Sequence, residues 1–346
     1  MLAAFTLLKT AQKVKEFLFQ KKALHTEYLP QKQLDHIYFP MAKKIRVPSA
    51  QIVDTKFSFE KKLRSLRIED LLEGKLTKKE FTLLPRSQEI IGSIMILEIL
   101  PELEKKEKII AEAYLTLTKH IQTVVKKKEV HSGVFRTRRV QIIAGKRTKE
   151  TIHYENGIKL KVHLEKTYFT SRLANERLRI AKLVQKDEEV LVMFSGVAPY
   201  PLVIAKNSEA KKVYGIEINP FAHQYALENI ALNKLEDKVV IYEGDVRNLL
   251  PKLRKKFDRI VMPLPKTGEE FLYLVLPRLK HNGFIHLYAF LEEGKIEAER
   301  KQILERGRVL GYSLECRTIV TCGQFSPSTF RVCFDLKMRE KRKKKI

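Results

Sequence analysis

From about residue 167 the chain alternates strand-forming and helix-forming runs, and this alternation restricts its fold more than any other feature. "RLRIAKLVQ" reads as a helix, "EEVLVMF" as a strand, "PLVIAKNS" as a helix and "KVYGIEI" as a strand. "PFAHQYALENIALNKL" and "GEEFLYLVLPRL" continue as helices, and "VVIYEG", "FDRIVMPLP" and "GFIHLYAF" as strands. Strands separated by helices of this length build a mostly parallel sheet with helices on both faces. Residues 167–346 are therefore expected to form a Rossmann-like α/β domain.

The first half follows other rules. Residues 1–45 read as a small α/β unit, with Leu7, Ala11, Val14, Phe17 and Leu18 at helical spacing and a short strand in "IYFPM". Residues 46–60 read as a polar connection. Residues 60–166 read as a middle, antiparallel α+β domain. It has an apolar strand over 94–100, a helix opened by Pro101, and strands in "TVVKKKEV", "RTRRVQIIAG" and "TIHYENGIKLKVHL". Glu155-Asn156-Gly157 is the turn of a hairpin. The tail "KMREKRKKKI" reads as a frayed charge block.

Charge narrows the function. Sixty-seven Lys and Arg against 41 Asp and Glu leave +26, an excess that points to a polyanionic partner. No basic amphipathic anchor and no apolar run of ~18–20 residues is present, which favours nucleic acid over a membrane. Met1–Leu8 is too short for a signal peptide. Cys316, Cys322 and Cys333 lack metal-ligand spacing and read as free thiols of a cytoplasmic protein with no metal.

The first crossover of the α/β part carries the chemistry. "VLVMFSGVAPYPLVIAK" places Ser195, Gly196, Ala198 and Pro199 between a strand and a helix, where small residues let a ligand approach the backbone. Glu217 ends the next strand, about 20 residues on, the position from which a carboxylate accepts hydrogen bonds from a ribose diol. Asp245 ends the third strand, in reach of an adenine amino group, and "MPLP" ends the fourth. Pro199 removes one of the amides that a phosphate cradle requires. The pattern fits a nucleoside without phosphate, and S-adenosylmethionine is one.

On these residues the chain resembles the archaeal and eukaryotic tRNA (guanine-37-N1)-methyltransferase family over nearly its whole length. The resemblance is carried by "SQEIIGSIMILEI", "GVFRTRRVQIIAG", "TIHYENGIKLKVHLEKTYFTSRLANERLRIAKLV", "MFSGVAPY", "GIEINPFAHQYALENIALNKL", "GDVR" and "FDRIVMPLPKTGEEFL". It implies a class I methyltransferase domain, S-adenosylmethionine as cofactor, a monomer, and tRNA as partner, the N-terminal domain touching the tRNA body. The family methylates N1 of the guanosine just 3′ of the anticodon. By resemblance Glu176 is the general base, Arg136 stabilises charge on guanine O6, and Pro265 belongs to the catalytic motif. Phe194, Gly196, Val197, Glu217, Ile218, Asp245, Val246 and Pro263 would hold the cofactor. Tyr168, Arg172, Arg177 and Pro263 would meet the substrate.

Two departures stand out. Val192 replaces an Asp common among relatives, and Ala198 a second Gly. The family's Asn-Leu-Pro is here Pro263-Leu264-Pro265, so an amide that reads the guanine edge is missing. The competing readings are a wyosine-pathway aminocarboxypropyl transferase, whose members also lack that Asn, and an inactive tRNA-binding relative. Retention of Arg136, Glu176, Glu217 and Asp245 favours an active methyltransferase.

Overall fold

Val190–Met193 have no solvent exposure, because sheet neighbours flank them and helices cover both faces. That strand is the middle of the fold, which is known here from a computed structural model describing residues 1–62, 66–128, 133, 135–264 and 268–341.

Contacts divide the chain into two units, 1–71 and 72–346. The first holds an antiparallel sheet of β1 (Leu2–Leu7), β2 (Gln31–Gln33), β3 (His36–Pro40) and β4 (Gln51–Asp54), in the order β2-β3-β1-β4. Helix α1 (Ala11–Gln20) buries Val14 and Leu18 with Ala4, Phe39 and Met41. Each such Val, Leu, Phe or Met side chain contributes roughly 1.5–3 kcal/mol. The stretch expected as a connection supplies β4, because Leu2–Phe5 offers it a free strand edge. The unit's last residues enter α2 (Ile68–Leu72).

The second unit continues through α3 (Lys78–Thr82), which Thr77 and Glu80 cap reciprocally. A sheet of β5 (Glu89–Ile91), β6 (Ile94–Leu97), β7 (Thr123–Lys127) and β8 (Val140–Gly145) follows. It is not wholly antiparallel as expected. Helix α4 (Glu107–Leu117) carries the chain back across, so β6 and β7 pair in parallel. The hairpin β9 (Glu150–Glu155) and β10 (Ile158–His163) turns at Asn156 and Gly157, both with positive φ.

The methyltransferase-like part has a seven-stranded sheet. Its strands are β11 (Glu189–Met193), β12 (Lys212–Glu217), β13 (Val239–Glu243), β14 (Phe257–Met262), β15 (Leu279–Glu292), β16 (Tyr312–Ser326) and β17 (Thr329–Lys341), in the order β13-β12-β11-β14-β15-β17-β16. All pairings are parallel except those of β17. The helices are α5 (Ala174–Leu183), α6 (Pro199–Asn207), α7 (Pro220–Asn233), α8 (Val246–Leu249), α9 (Leu272–Val275) and α10 (Ile296–Val309). On α7, Asn229 and Asn233 stand one turn apart. They exchange hydrogen bonds with the backbone of Lys161 and Lys159, capping the edge of β10.

Two expectations change here. "GEEFLYLVLPRL" forms only short turns, interrupted by Pro277. The basic tail is not frayed as far as Lys341: Thr329–Lys337 pair with β15 and Thr329–Lys341 with β16. Apolar Leu336 and Met338, buried between the charges, hold that segment in the sheet.

Candidate active site

The strand order reverses between β11 and β14, and a cleft opens at their carboxyl ends, where open α/β sheets take ligands. Its free space is about 850 Å³, part of it open to solvent. Phe194, Ser195, Gly196, Glu217, Ile218, Pro263 and Leu264 line the sheet edge; Arg136, Tyr168, Phe169, Arg177 and Tyr200 complete the walls.

The bend after β11 is built from left-handed residues. Phe194, Gly196 and Ala198 all have positive φ (54°, 57° and 67°), and Ala198 leads into α6 with Pro199 in its first turn. The turn is held by Ser195 N donating to Ile216 O (3.0 Å), Ala198 N to Ser195 O (3.0 Å), and Gly196 N to Glu217 Oε2 (2.7 Å). Gly215 makes room beneath it: a Cβ there would stand 2.4 Å from Ile241 Cδ1 and 2.9 Å from Ser195 Oγ.

Glu217 is 8% exposed, and its Oε1 accepts from Asn219 N at 2.8 Å. Burial pushes its carboxyl above the usual 4.5, against the pull of the backbone amides. The carboxylate accepts from the amides of Gly196 and Asn219, with the Ile218 amide also beside it, and two carboxylate oxygens offer about four lone-pair sites, so acceptor capacity remains for a diol. Ser195 Oγ is buried without a partner among the described residues. A carboxylate at the floor and a proline at the helix start disfavour phosphate. Phe194, Ile218 and Pro263 beside one buried carboxylate fit a nucleoside that carries no phosphate.

Of the expected cofactor residues, Phe194, Gly196, Glu217, Ile218 and Pro263 meet at this cleft. Val197 and Val246 are buried in the core and support the site from behind. Asp245 is not among the lining residues. It caps α8, accepting from Arg247 N at 2.8 Å, and pairs with the Arg247 guanidinium at 2.5 Å. That local acceptor role competes with the adenine contact read from its strand-end position.

Of the expected catalytic and substrate residues, Arg136 and Tyr168 are neighbours in the cleft, the guanidinium 5.5 Å from the ring centroid. Arg177 also lines it, but its head is buried in a two-pronged bond to Glu155 (2.5 Å each). Arg172 lies in an adjoining groove. Pro265 lies outside the described residues.

Glu176 stands behind the cleft wall rather than in it. Arg179, one turn on in α5, grips both of its oxygens (2.7 and 2.8 Å), and Tyr288 Oη donates to Oε1 at 2.5 Å. Tyr200, a cleft residue, donates to Tyr288 Oη at 3.1 Å. On the other side Arg179 meets Asp335 (2.6 Å), Asp335 meets His286 Nδ1 (2.6 Å), and His286 Nε2 meets Arg259 (2.7 Å), which pairs with Glu188. His286, Cys333 and Asp335 cluster closely enough for a metal, yet both ring nitrogens of His286 are engaged by Asp335 and Arg259. Arg179, Tyr200, Tyr288 and Asp335 escaped sequence reasoning, since nothing in their neighbourhoods marks them. Asn219 had a signal. As a cap before Pro220 it holds Phe221 N and Lys166 O, tying α7 to the cleft floor.

A TRM5/TYW2 methyltransferase domain model matches residues 151–313, and a TYW2 N-terminal domain model matches 68–148. Trm5b of Pyrococcus abyssi, a tRNA (guanine(37)-N(1))-methyltransferase, is 38% identical over 256 residues, covering 74% of this chain and 76% of that protein. The chain belongs to the TRM5/TYW2 methyltransferase family. A family member with another reaction is also similar: a tRNA(Phe) (4-demethylwyosine(37)-C(7)) aminocarboxypropyltransferase of Pyrococcus horikoshii. It is 32% identical, covering 79% of this chain and 96% of that one. Among solved structures, aTrm5 in complex with tRNALeu superposes with a TM-score of 0.70 at 28% identity, covering 98% and 100% of the chains. P. horikoshii TYW2 in complex with MeSAdo gives 0.68 at 29%, covering 79% and 98%. The TRM5/TYW2 family member described here is thus an S-adenosylmethionine-dependent tRNA-modifying transferase.

Proposed function

We propose that the protein transfers a methyl group from S-adenosylmethionine to N1 of guanosine 37 in the tRNA anticodon loop, acting as a monomer in the cytoplasm. The observation that carries this reading is the placement of Arg136 against Tyr168, in one cleft with Gly196 and Glu217. Arg136 supports the reading because a guanidinium in that position, beside the nucleoside pocket, would meet the charge that guanine O6 gains.

Bound S-adenosylmethionine supplies an electrophilic methyl on a sulfonium. The chain's residues do the rest. Glu217 accepts from the ribose, while Phe194, Ile218 and Pro263 enclose the nucleoside. The Asp245 carboxylate joins only by giving up Arg247. Tyr168 packs on the target base and Arg136 stabilises O6 as N1 loses its proton. Glu176 takes that proton through a relay from the cleft wall: Tyr200 accepts it as its own hydroxyl proton passes to Tyr288, whose proton passes to the carboxylate. With the N1–H bond broken, the N1 electron pair would take the methyl as the methyl's bond to sulfur breaks and leaves a neutral thioether; the proton rests on the carboxylate. The N-terminal unit contacts the tRNA body.

Aminocarboxypropyl transfer is the second reading, favoured by Pro263 in place of Asn and by the TYW2-type match over 68–148. Mass spectrometry of tRNA incubated with protein and S-adenosylmethionine separates them. A methyl on guanosine 37 supports the first reading, an aminocarboxypropyl group the second, and an unchanged tRNA points to an inactive relative.

A further inference from the structure

A second groove begins where the cleft ends. The two share Tyr168 and Thr170, and the groove is lined further by Lys127, Arg172, Arg331, Gln324 and Phe325, the last three from the β16–β17 hairpin. Its charge is strongly positive. Arg138, also in the groove, neutralises Glu89, the one carboxylate among the described lining residues, at 2.8 Å. Arg172 and Arg331 have no carboxylate partner among the described residues, and Lys127 has only a distant Glu98 at 3.8 Å.

The same groove is lined by a largely bare aromatic ring. Phe325 is 57% exposed, near the tip of a hairpin, where an apolar side chain gains little from folding. It is nevertheless held in place from beneath. Phe290 lies against it with centroids 4.1 Å apart, and the Arg331 guanidinium sits 5.0 Å from the Phe290 centroid. The arrangement is a supported platform with one face left to solvent. Cations that track a backbone and an aromatic face that takes a base are the two parts of a single-strand nucleic-acid site.

We propose that this groove holds a nucleotide adjoining the target guanosine, its base stacked on Phe325 and its phosphates met by Arg172, Arg331 and Lys127. The inference rests on the tRNA reading above and adds a subsite to it. When one base enters the cleft beside Tyr168, its neighbour follows within one sugar–phosphate step, and the groove that starts at Tyr168 receives it. The strand must be single there, since a paired base offers no free face. Such a site selects an open loop over a helix without reading sequence, because every base has a face to stack.

The test uses the full chain and an anticodon stem-loop RNA carrying 5-iodouridine on one or the other side of the target guanosine. Irradiation is expected to crosslink one of the two positions to Phe325. Phe325→Ala should raise the Kd for unmodified stem-loop about 10-fold, Phe325→Tyr should restore it, and Arg331→Ala should lower the slope of log K against log salt by about one. Crosslinks mapping away from the hairpin, with Phe325→Ala binding at parent affinity, would overturn the subsite while leaving tRNA modification standing. If the parent protein neither binds the stem-loop nor modifies tRNA, the functional reading itself falls, and the subsite with it.

Discussion

Tyr288 on β15 donates its hydroxyl proton to Glu176 Oε1 in the first turn of α5, at 2.5 Å and across 112 residues of sequence. The bond joins the proposed base to Tyr200 and the cleft wall on one side. On the other, Arg179, Asp335, His286 and Arg259 continue the chain of contacts to Glu188. The carboxylate is held by an arginine fork from its own helix and a phenol from β15, and Asp335 of β17 holds the fork in turn, with His286 of β15 and Arg259 of β14 behind it.

Glu176→Gln keeps the shape and removes the basicity. The single-turnover rate should fall about 10²–10⁴-fold with tRNA and cofactor affinity nearly unchanged. Arg136→Ala should cost a comparable factor, and the double variant less than the sum, because both act on one developing charge. A stable Glu176→Gln protein that transfers at the parent rate would put the base elsewhere.

Cofactor affinity should respond unequally to the two strand-end carboxylates. Glu217→Ala removes the buried acceptor and the partner of two backbone amides, so titration calorimetry should show binding weaker by roughly 1.5–3 kcal/mol. Asp245→Ala should cost less, since Arg247 already occupies that carboxylate. Unchanged affinity in both variants removes the pocket assignment.

The buried network should make the fold acid-sensitive. Burial depresses the His286 imidazole below its ordinary 6.5, although Asp335 pulls the other way. Burial opposes ionisation of Asp335 too, but bonds from His286 and Arg179 outweigh it and hold that carboxyl well below its usual 3.8. Below pH 6.5 the unfolded chain takes up a His286 proton that the folded one does not, so stability falls as pH falls; Asp335 adds the same sign below 3.8. Unfolding free energies from denaturant titrations between pH 7 and 5 should decline in the parent and decline less steeply in His286→Asn, which should start lower by about 1–3 kcal/mol. Parallel curves would remove His286 from the effect.

Pro263→Asn restores the family residue at the cleft edge. If the segment acts through its backbone, methylation should stay within about tenfold of the parent or improve. Collapse of the rate with intact cofactor binding would mean the Pro-Leu-Pro segment is tuned to a different transfer.

The basic C-terminus is now a strand and a short remainder. Deleting 342–346 should lower the salt slope of tRNA binding only slightly. Deleting from Lys337 should also lower the thermal midpoint, because it strips Leu336's neighbours in β17 from both flanking strands. Equal midpoints for the two truncations would contradict that pairing.

Local chemistry was readable in the chain itself. The helix–strand alternation after residue 167, the Asn156-Gly157 turn, the bend at Gly196 and a carboxylate at the end of β12 each depend on a few adjacent residues, so their spacing announces them. The partners of those groups did not announce themselves. Asp245 looks like a strand-end ligand and is taken by Arg247, two residues away, because a short cap lets the side chain fold back. Met338 sits in a run of charges and is buried, because strand pairing depends on distant edges rather than local composition. Glu176 sits in an ordinary helix turn, and only the approach of β15 and β17, more than a hundred residues on, gives it Tyr288 and the Arg179–Asp335 clamp. Periodicity records what a residue's neighbours in the chain permit. Which side chains share a buried space is decided by how strands far apart in sequence stack in one sheet.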